Sequence, residues 1–283
     1  MNISFKEVIL TILIIASPII AMENLKESPL FLNGKAVKPL EELLVKFDIH
    51  ETALATVTSK TQEKWLRTAG KERWEAQDPY AHLKSELMPL FSKLNLINEI
   101  KPNQKHYNYL LILGGLFKRT QSRLQYCINL WQEGTTFDQI ILLGSHRPLD
   151  PKEEPSSLFT NAQPHTEYEM MRYLYDTCVP APMKNIPAVF INTPNTVDSQ
   201  GKIKRATTGD TIQQWLHEHK PATGDCLVIS SQPHIGYQES VIKTFLPAFT
   251  ISSAGPSLQE DKTCEILDAL ARWIYQENIR IKS

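Results

Sequence analysis

Neither sign of charge is in excess. In 283 residues, 30 Lys and Arg stand against 31 Asp and Glu, a formal charge of −1. Binding nucleic acid through a general field needs a basic surplus or stripe, so that class is excluded. Long apolar runs are also scarce. A single one is present and the mean hydropathy is −0.27, which rules out a multi-spanning membrane protein. No sustained heptad and no repeat of fixed period is found, so coiled-coil and solenoid architectures fall away. There are only four cysteines, Cys127, Cys178, Cys226 and Cys264, with no Cys-x-x-Cys pair and no His/Cys cluster at zinc spacing. No metal site is therefore indicated, and nothing specifies a cofactor. Several catalytic signatures are missing as well. There is no Gly-x-Gly-x-x-Gly, no Walker lysine, and no Gly-x-Ser-x-Gly elbow, because Gly144-Ser145-His146 lacks the closing glycine. The first strand ends in Gly114-Gly115-Leu116 rather than the Arg-His-Gly of a mutase-like phosphatase.

What is present begins with an export signal. Lys6 precedes the apolar run Val8–Ala21, which is broken by Pro18. The run is shorter than the roughly 20 residues a membrane span needs and suits a signal-peptide core. Ala21 fits the residue before a cleavage site, whereas Ile19 is bulky for the position two before it, so an uncleaved anchor over residues 8–21 stays open beside cleavage. Either way the chain is expected outside the cytoplasm, in the periplasm or secreted. Export would permit disulfides. Cys127, on the buried face of a helix, and Cys226, at a strand start, fit free buried thiols better, although a pairing is not excluded.

Residues 22–105 read as a helical N-terminal extension, with Pro39 opening one helix and Asp78 as N-cap of another. From 106 to 283 the texture changes. Strands are expected at Tyr107–Leu113, Gln139–Leu143, Ala188–Asn192, Cys226–Ser230 and Phe249–Ser252. Helices are expected from Gly115 through Trp131, then over His165–Asp176, Asp210–His219, Gly236–Phe245 and Glu260–Tyr275. Apolar strands alternating with helices indicate βαβ units and a parallel sheet covered on both faces. With right-handed crossovers this gives an α/β, Rossmann-like, doubly wound sandwich, whose ligands bind beyond the carboxyl ends of the strands.

Polar clusters fall at those ends. Gly114 and Gly115 permit close backbone approach before a helix carrying Arg119 and Arg123, and a helix N-terminus favours an anion. Tight turns need glycine in any case. Gly144 and Ser145 end the second strand. Thr166 and Glu169 form a capping box, which leaves Glu167 as a first-turn carboxylate, either functional or merely a dipole partner. Ser230, Ser231 and His234 follow the fourth strand, with Tyr237 next in line. His234 reads equally as a structural histidine. Thr208 or Asp210 caps the helix that follows the polar insertion 193–205.

The segment L-L-I-L-G-G, then R-L-Q-Y-C-I-N-L-W-Q-E-G, then F-D-Q-I-I-L-L-G-S resembles the opening of the SanA/YdcF-like family, a domain of unknown function in bacterial envelope proteins. Arg123 falls on the family arginine, Leu130-Trp131 on its Leu-aromatic pair and Gly134 on its closing glycine. Thr166-Glu167 is similar to the family's Ser-Glu motif, and Ser230-Ser231-Gln232-Pro233-His234 to Thr-Ser-x-x-His. Tyr237 stands where the family has arginine, Cys127 where it has alanine, and one glycine of the second glycine motif is replaced by Ser145. Residues 206–211 match a fourth motif only through Thr208 and Asp210. The resemblance spans about Asn108 to Phe245.

The resemblance implies an exported, envelope-associated protein that binds a phosphorylated, nucleotide-like or lipid-carrier molecule, with association to the membrane surface as a further expectation. His234 and Glu167 would be its catalytic pair. His234 would serve as general acid or base with Glu167 as its partner, and the glycines, Arg119, Arg123, the serines and Tyr237 would hold the anion. A non-catalytic binding module or scaffold of envelope assembly, or a secreted factor, is the alternative.

Overall fold

The run Leu110–Leu113 is buried on both sides, and its alternation divides the core. Leu110 and Ile112 face one apolar cluster, Leu111 and Leu113 the other. A strand with no polar face is stable only between two layers of helix, which is the arrangement found in the computed structural model, describing residues 27–67, 78–160, 163–259 and 262–282. The expected leader Val8–Ala21 lies outside the described residues. Among the described residues no helix is long and apolar enough to cross a membrane.

In chain order the elements are β1 (Phe31–Leu32), β2 (Lys35–Ala36), α1 (Lys38–Val45), α2 (Leu54–Trp65), α3 (Lys84–Lys93), β3 (His106–Leu113), α4 (Phe117–Gln132), β4 (Thr136–Ser145), α5 (Glu167–Cys178), β5 (Ala188–Thr193), β6 (Thr196–Val197), β7 (Ile203–Lys204), α6 (Thr208–His219), β8 (Asp225–Ile229), α7 (Ile235–Phe245), β9 (Thr250–Ala254) and α8 (Thr263–Lys282). The central sheet has the order β5-β4-β3-β8-β9, and every pairing in it is parallel. The fold is thus α/β and Rossmann-like, as expected. α4 and α5 contribute Leu124, Ile128, Met170 and Leu174 to one face. α6 and α7 contribute Ile212, Trp215 and Ile242 to the other.

The described residues before β3 hold the helices α1, α2 and α3 and also form the β1–β2 hairpin. It turns at Asn33-Gly34, both at positive φ (50° and 75°), a short-range signal that the helical reading passed over. These residues share one apolar core with α8: Leu40, Leu43, Val57, Trp65 and Phe91 pack with Ile266, Leu270 and Ile274. Asp78 was expected to cap the helix that follows it. Its carboxylate does accept from the Tyr80 N–H (3.1 Å) at the start of that segment, and it also accepts from the backbone N–H groups of Thr263 (2.7 Å) and Cys264 (3.2 Å), capping α8 from across the molecule.

Three boundaries moved for identifiable reasons. β4 is longer than its apolar run because main-chain pairing continues through polar residues, from His106↔Thr136 to Ser145↔Thr193. α8 continues past Tyr275 because its late polar residues face inward, Glu277 and Arg280 being buried and paired at 2.7 Å. The cap of α6 is Thr207, one residue before the expected Thr208, with Asp210 completing the capping box; the insertion before it holds the β6–β7 hairpin.

Candidate functional site

The sheet order creates one switch point. The chain leaves β3 toward β4 on one side, and β8 continues to β9 on the other, so the carboxyl ends of β3 and β8 open onto a common crevice. A cavity of about 400 Å³ lies there, bordered by Gly115, Arg119, Arg147, Glu167 and Ser231, with Lys118 and Lys262 at its rim. That volume falls within the range of small-molecule sites. Of the residues expected in the site, Gly115, Arg119, Glu167 and Ser231 line this cavity. Gly114, Arg123, Gly144, Ser145, Ser230, His234 and Tyr237 do not.

Arg123 is buried and directed at the protein frame. Its guanidinium donates to the carbonyls of Leu113 (2.9 Å) and Gly114 and to Ser231 Oγ (3.2 and 3.3 Å). It therefore ties the end of β3 to the turn after β8, and sets the width of the crevice rather than its contents.

Arg119, one turn earlier on α4, reaches the cavity wall. Its guanidinium contacts the Glu265 carboxylate, and its Nη1 lies 2.9 Å from His234 Nε2. Arginine carries donors only, so this contact is a hydrogen bond only when Nε2 is unprotonated; when Nε2 carries a proton, it and Arg119 share the Glu265 carboxylate. Glu265 sits in the first turn of α8, at the helix end capped by Asp78. Burial alone would raise its carboxyl, but His234 and Arg119 beside it hold it well below the usual carboxylate range. His234 is 3% exposed and stands behind Arg119; its carboxylate neighbour is Glu265 at 3.6 Å. The expected partnership with Glu167 is replaced by this triad, because α8 brings its own carboxylate to the imidazole.

Glu167 belongs to a second network. It accepts from Ser145 Oγ (2.6 Å) and lies 3.5 Å from Arg147 Nε. Arg147 also donates to Gly115 O (2.9 Å) and to both oxygens of Glu154 (2.7 and 3.0 Å). The Glu154 side chain is fully buried and accepts from the N–H of Phe117 (3.0 Å), the first residue of α4. The anion expected at this helix start is therefore supplied by the protein itself. Burial raises the Glu167 carboxyl above its ordinary value, against the lowering influence of Arg147 and Ser145. A cavity carboxyl whose proton is held more firmly than usual is a candidate for acid–base work.

Of the three glycines expected to hold the anion, Gly114, Gly115 and Gly144, the first and last serve packing. A Cβ on Gly114 would lie 2.7 Å from Glu167 Cδ, so the missing side chain leaves room for that carboxylate. A Cβ on Gly144 would lie 3.0 Å from Tyr168 Cα and 3.2 Å from Met171 Sδ, so this glycine lets α5 sit close on β4. Ser230 is buried and donates to Gln238. Tyr237 packs on the core shared by α8 and the N-terminal helices.

Three important side chains escaped the sequence reading. Arg147 directly follows the strand end at Gly144-Ser145 and could have been found by carrying that cluster two residues further. Glu154 and Glu265 gave no local signal, the latter lying 146 residues from the arginine it meets. The four cysteines are all free; Cys127 and Cys226 are buried, and burial pushes both thiols up and makes them unreactive. Among the described residues no three His, Cys, Asp or Glu side chains cluster to hold a metal. The arrangement can seat an anion on arginine and lysine and present it to a protonatable carboxyl. No protein-family model matches the chain, and no curated protein shows significant similarity to it.

Proposed function

We propose that this chain is an exported, envelope-associated protein of the SanA/YdcF-like type whose switch-point cavity binds a phosphorylated small molecule, nucleotide-like or lipid-borne, and carries out acid–base chemistry on it. The observation that carries this reading is one cavity lined by both Arg119 and Glu167, the first a fixed cation, the second a carboxyl raised by burial. Arg119 takes the phosphoryl charge; water attacks phosphorus as the P–O ester bond breaks, Glu167 gives its proton to the departing oxygen, and the proton of the attacking water stays on the phosphate, from which Glu167 is reprotonated. His234 acts through Arg119 as a positioning residue, with Glu265 completing the support.

The test is turnover of a panel of phosphoesters by the full chain. Glu167→Gln should lower kcat by about 10²-fold or more with KM little changed. Arg119→Ala should raise KM. Equal turnover by Glu167→Gln and the parent would remove Glu167 from the chemistry. A second reading, a non-catalytic binding module, is favoured by one observation: Tyr237, at the position of the family arginine, packs into the core shared with α8. Ligand binding without turnover across the panel would select it.

A further inference from the structure

The cations around the cavity are not equivalent. Arg119 is matched by Glu265, and Arg147 by Glu154 and Glu167. Arg67, on the N-terminal side, is 3.6 Å from Asp268. Arg205 also lines the cavity and has an interaction of its own. Lys118 and Lys262 line it too, and the ammonium group of neither has a hydrogen-bond or ion-pair partner among the described residues. Lys118 stands in the first turn of α4 beside Arg119, and Lys262 immediately precedes α8. The wall between them is built: Ser122, one turn beyond Lys118, accepts from Gln259 Nε2 at 2.8 Å, joining α4 to the segment that leads to Lys262. The carboxylates lining the cavity with them are Glu153, on the loop after β4, and Glu167 and Glu265, which already face arginines. An anion that enters a cavity lined by two unmatched ammonium groups is attracted by both.

We infer that the ligand carries two anionic groups, and that Lys118 and Lys262 form the seat of the second. This deepens the phosphate-binding reading and rests on it. The first anion is held at Arg119, within reach of the chemistry at Glu167. The second lies toward the α4–α8 side, where point-charge lysines suit a freely rotating phosphate or carboxylate better than a planar fork. The ligand class is a diphosphate, or a phosphate ester bearing a second acid. A volume of about 400 Å³ leaves space for both groups and the link between them.

The test is calorimetric titration of the full chain with inorganic phosphate, pyrophosphate and methylenebisphosphonate at low ionic strength. Both two-anion probes should bind at least tenfold more tightly than phosphate. In the Lys118→Ala/Lys262→Ala double variant that ratio should collapse toward one, while an unchanged melting temperature shows that the fold is intact. Each single variant should lose part of the ratio. Equal affinity for phosphate and pyrophosphate in the parent chain would overturn the second seat, as would a double variant that keeps the tenfold ratio. If neither phosphate nor pyrophosphate binds, the phosphate-binding reading itself fails, and the second seat with it.

Discussion

Replacing Arg123 by alanine should destabilise the protein rather than merely empty a ligand site. The guanidinium is buried and holds two carbonyls at the end of β3, Leu113 O at 2.9 Å and Gly114 O. A buried acceptor that loses a charged donor costs about 1–3 kcal/mol. Two carbonyls, the weaker contacts to Ser231 at 3.2 and 3.3 Å, and the lost packing of the side chain bring the total to roughly 3–5 kcal/mol. Water entering from the neighbouring cavity offsets part of this, which keeps the value from going higher. For a domain of this size the melting temperature should fall by roughly 6–20 °C. Arg123→Lys should recover less than half of the loss, since one ammonium cannot reach both carbonyls and the serine. Urea unfolding followed by circular dichroism measures the change, with phosphate titration beside it. A loss under about 1 kcal/mol, accompanied by a tenfold fall in phosphate affinity, would refute the reasoning and make Arg123 a ligand contact.

Gly114→Ala places a Cβ against Glu167. It should displace the carboxylate from Ser145 and lower kcat, at a cost of about 1–3 kcal/mol in stability read from the same unfolding curves. Glu154→Gln weakens the clamp on Arg147 and the cap of α4; a loss of about 2–4 kcal/mol is expected, with faster proteolysis in the 146–160 loop. The two cavity carboxylates should give opposite pH dependences. Glu265 has a depressed folded value, so its contribution is complete above the ordinary value of 4.5 and is lost as pH falls below it; the stability gap between the parent and Glu265→Gln should narrow in acid. Glu167 has a raised folded value, so stability is full below 4.5 and declines as pH rises through the folded value. Glu167→Gln should therefore gain on the parent in thermal melts as pH rises above 4.5.

The layers of the fold were legible because β3, β4 and β8 are apolar on both faces, a pattern with few other uses, and because the connecting helices are capped by local boxes such as Thr166 with Glu169. The doubly wound parallel sheet then followed from connection rules, and with it the expectation of a crevice beyond the carboxyl ends of the strands; the order of the strands came only from the structure. The side chains inside the crevice were only partly legible. Gly115 and Ser231 each lie two residues past a strand end, Arg119 and Glu167 stand in the first turns of α4 and α5, and all four were found. Arg123 carries the same chemistry as Arg119 but points inward, and a helix four residues per turn does not reveal in advance which arginine meets backbone carbonyls. Glu265 arrives on the last helix, whose start is fixed by Asp78, far away in the chain, so the support of His234 and Arg119 is a purely tertiary product. Gly144 illustrates a different limit. A glycine at a strand end serves a ligand or a helix equally well in sequence, and here the helix takes the space.

The most direct test of the account is phosphate binding at Arg119. Calorimetric titration of inorganic phosphate into the full chain at pH 7 and low salt, repeated with Arg119→Gln, should show saturable binding that falls at least tenfold in the variant while the unfolding midpoint of the variant still indicates a folded protein. No saturable binding to the parent chain, or the same affinity in both, would contradict the assignment of this cavity to a phosphorylated ligand.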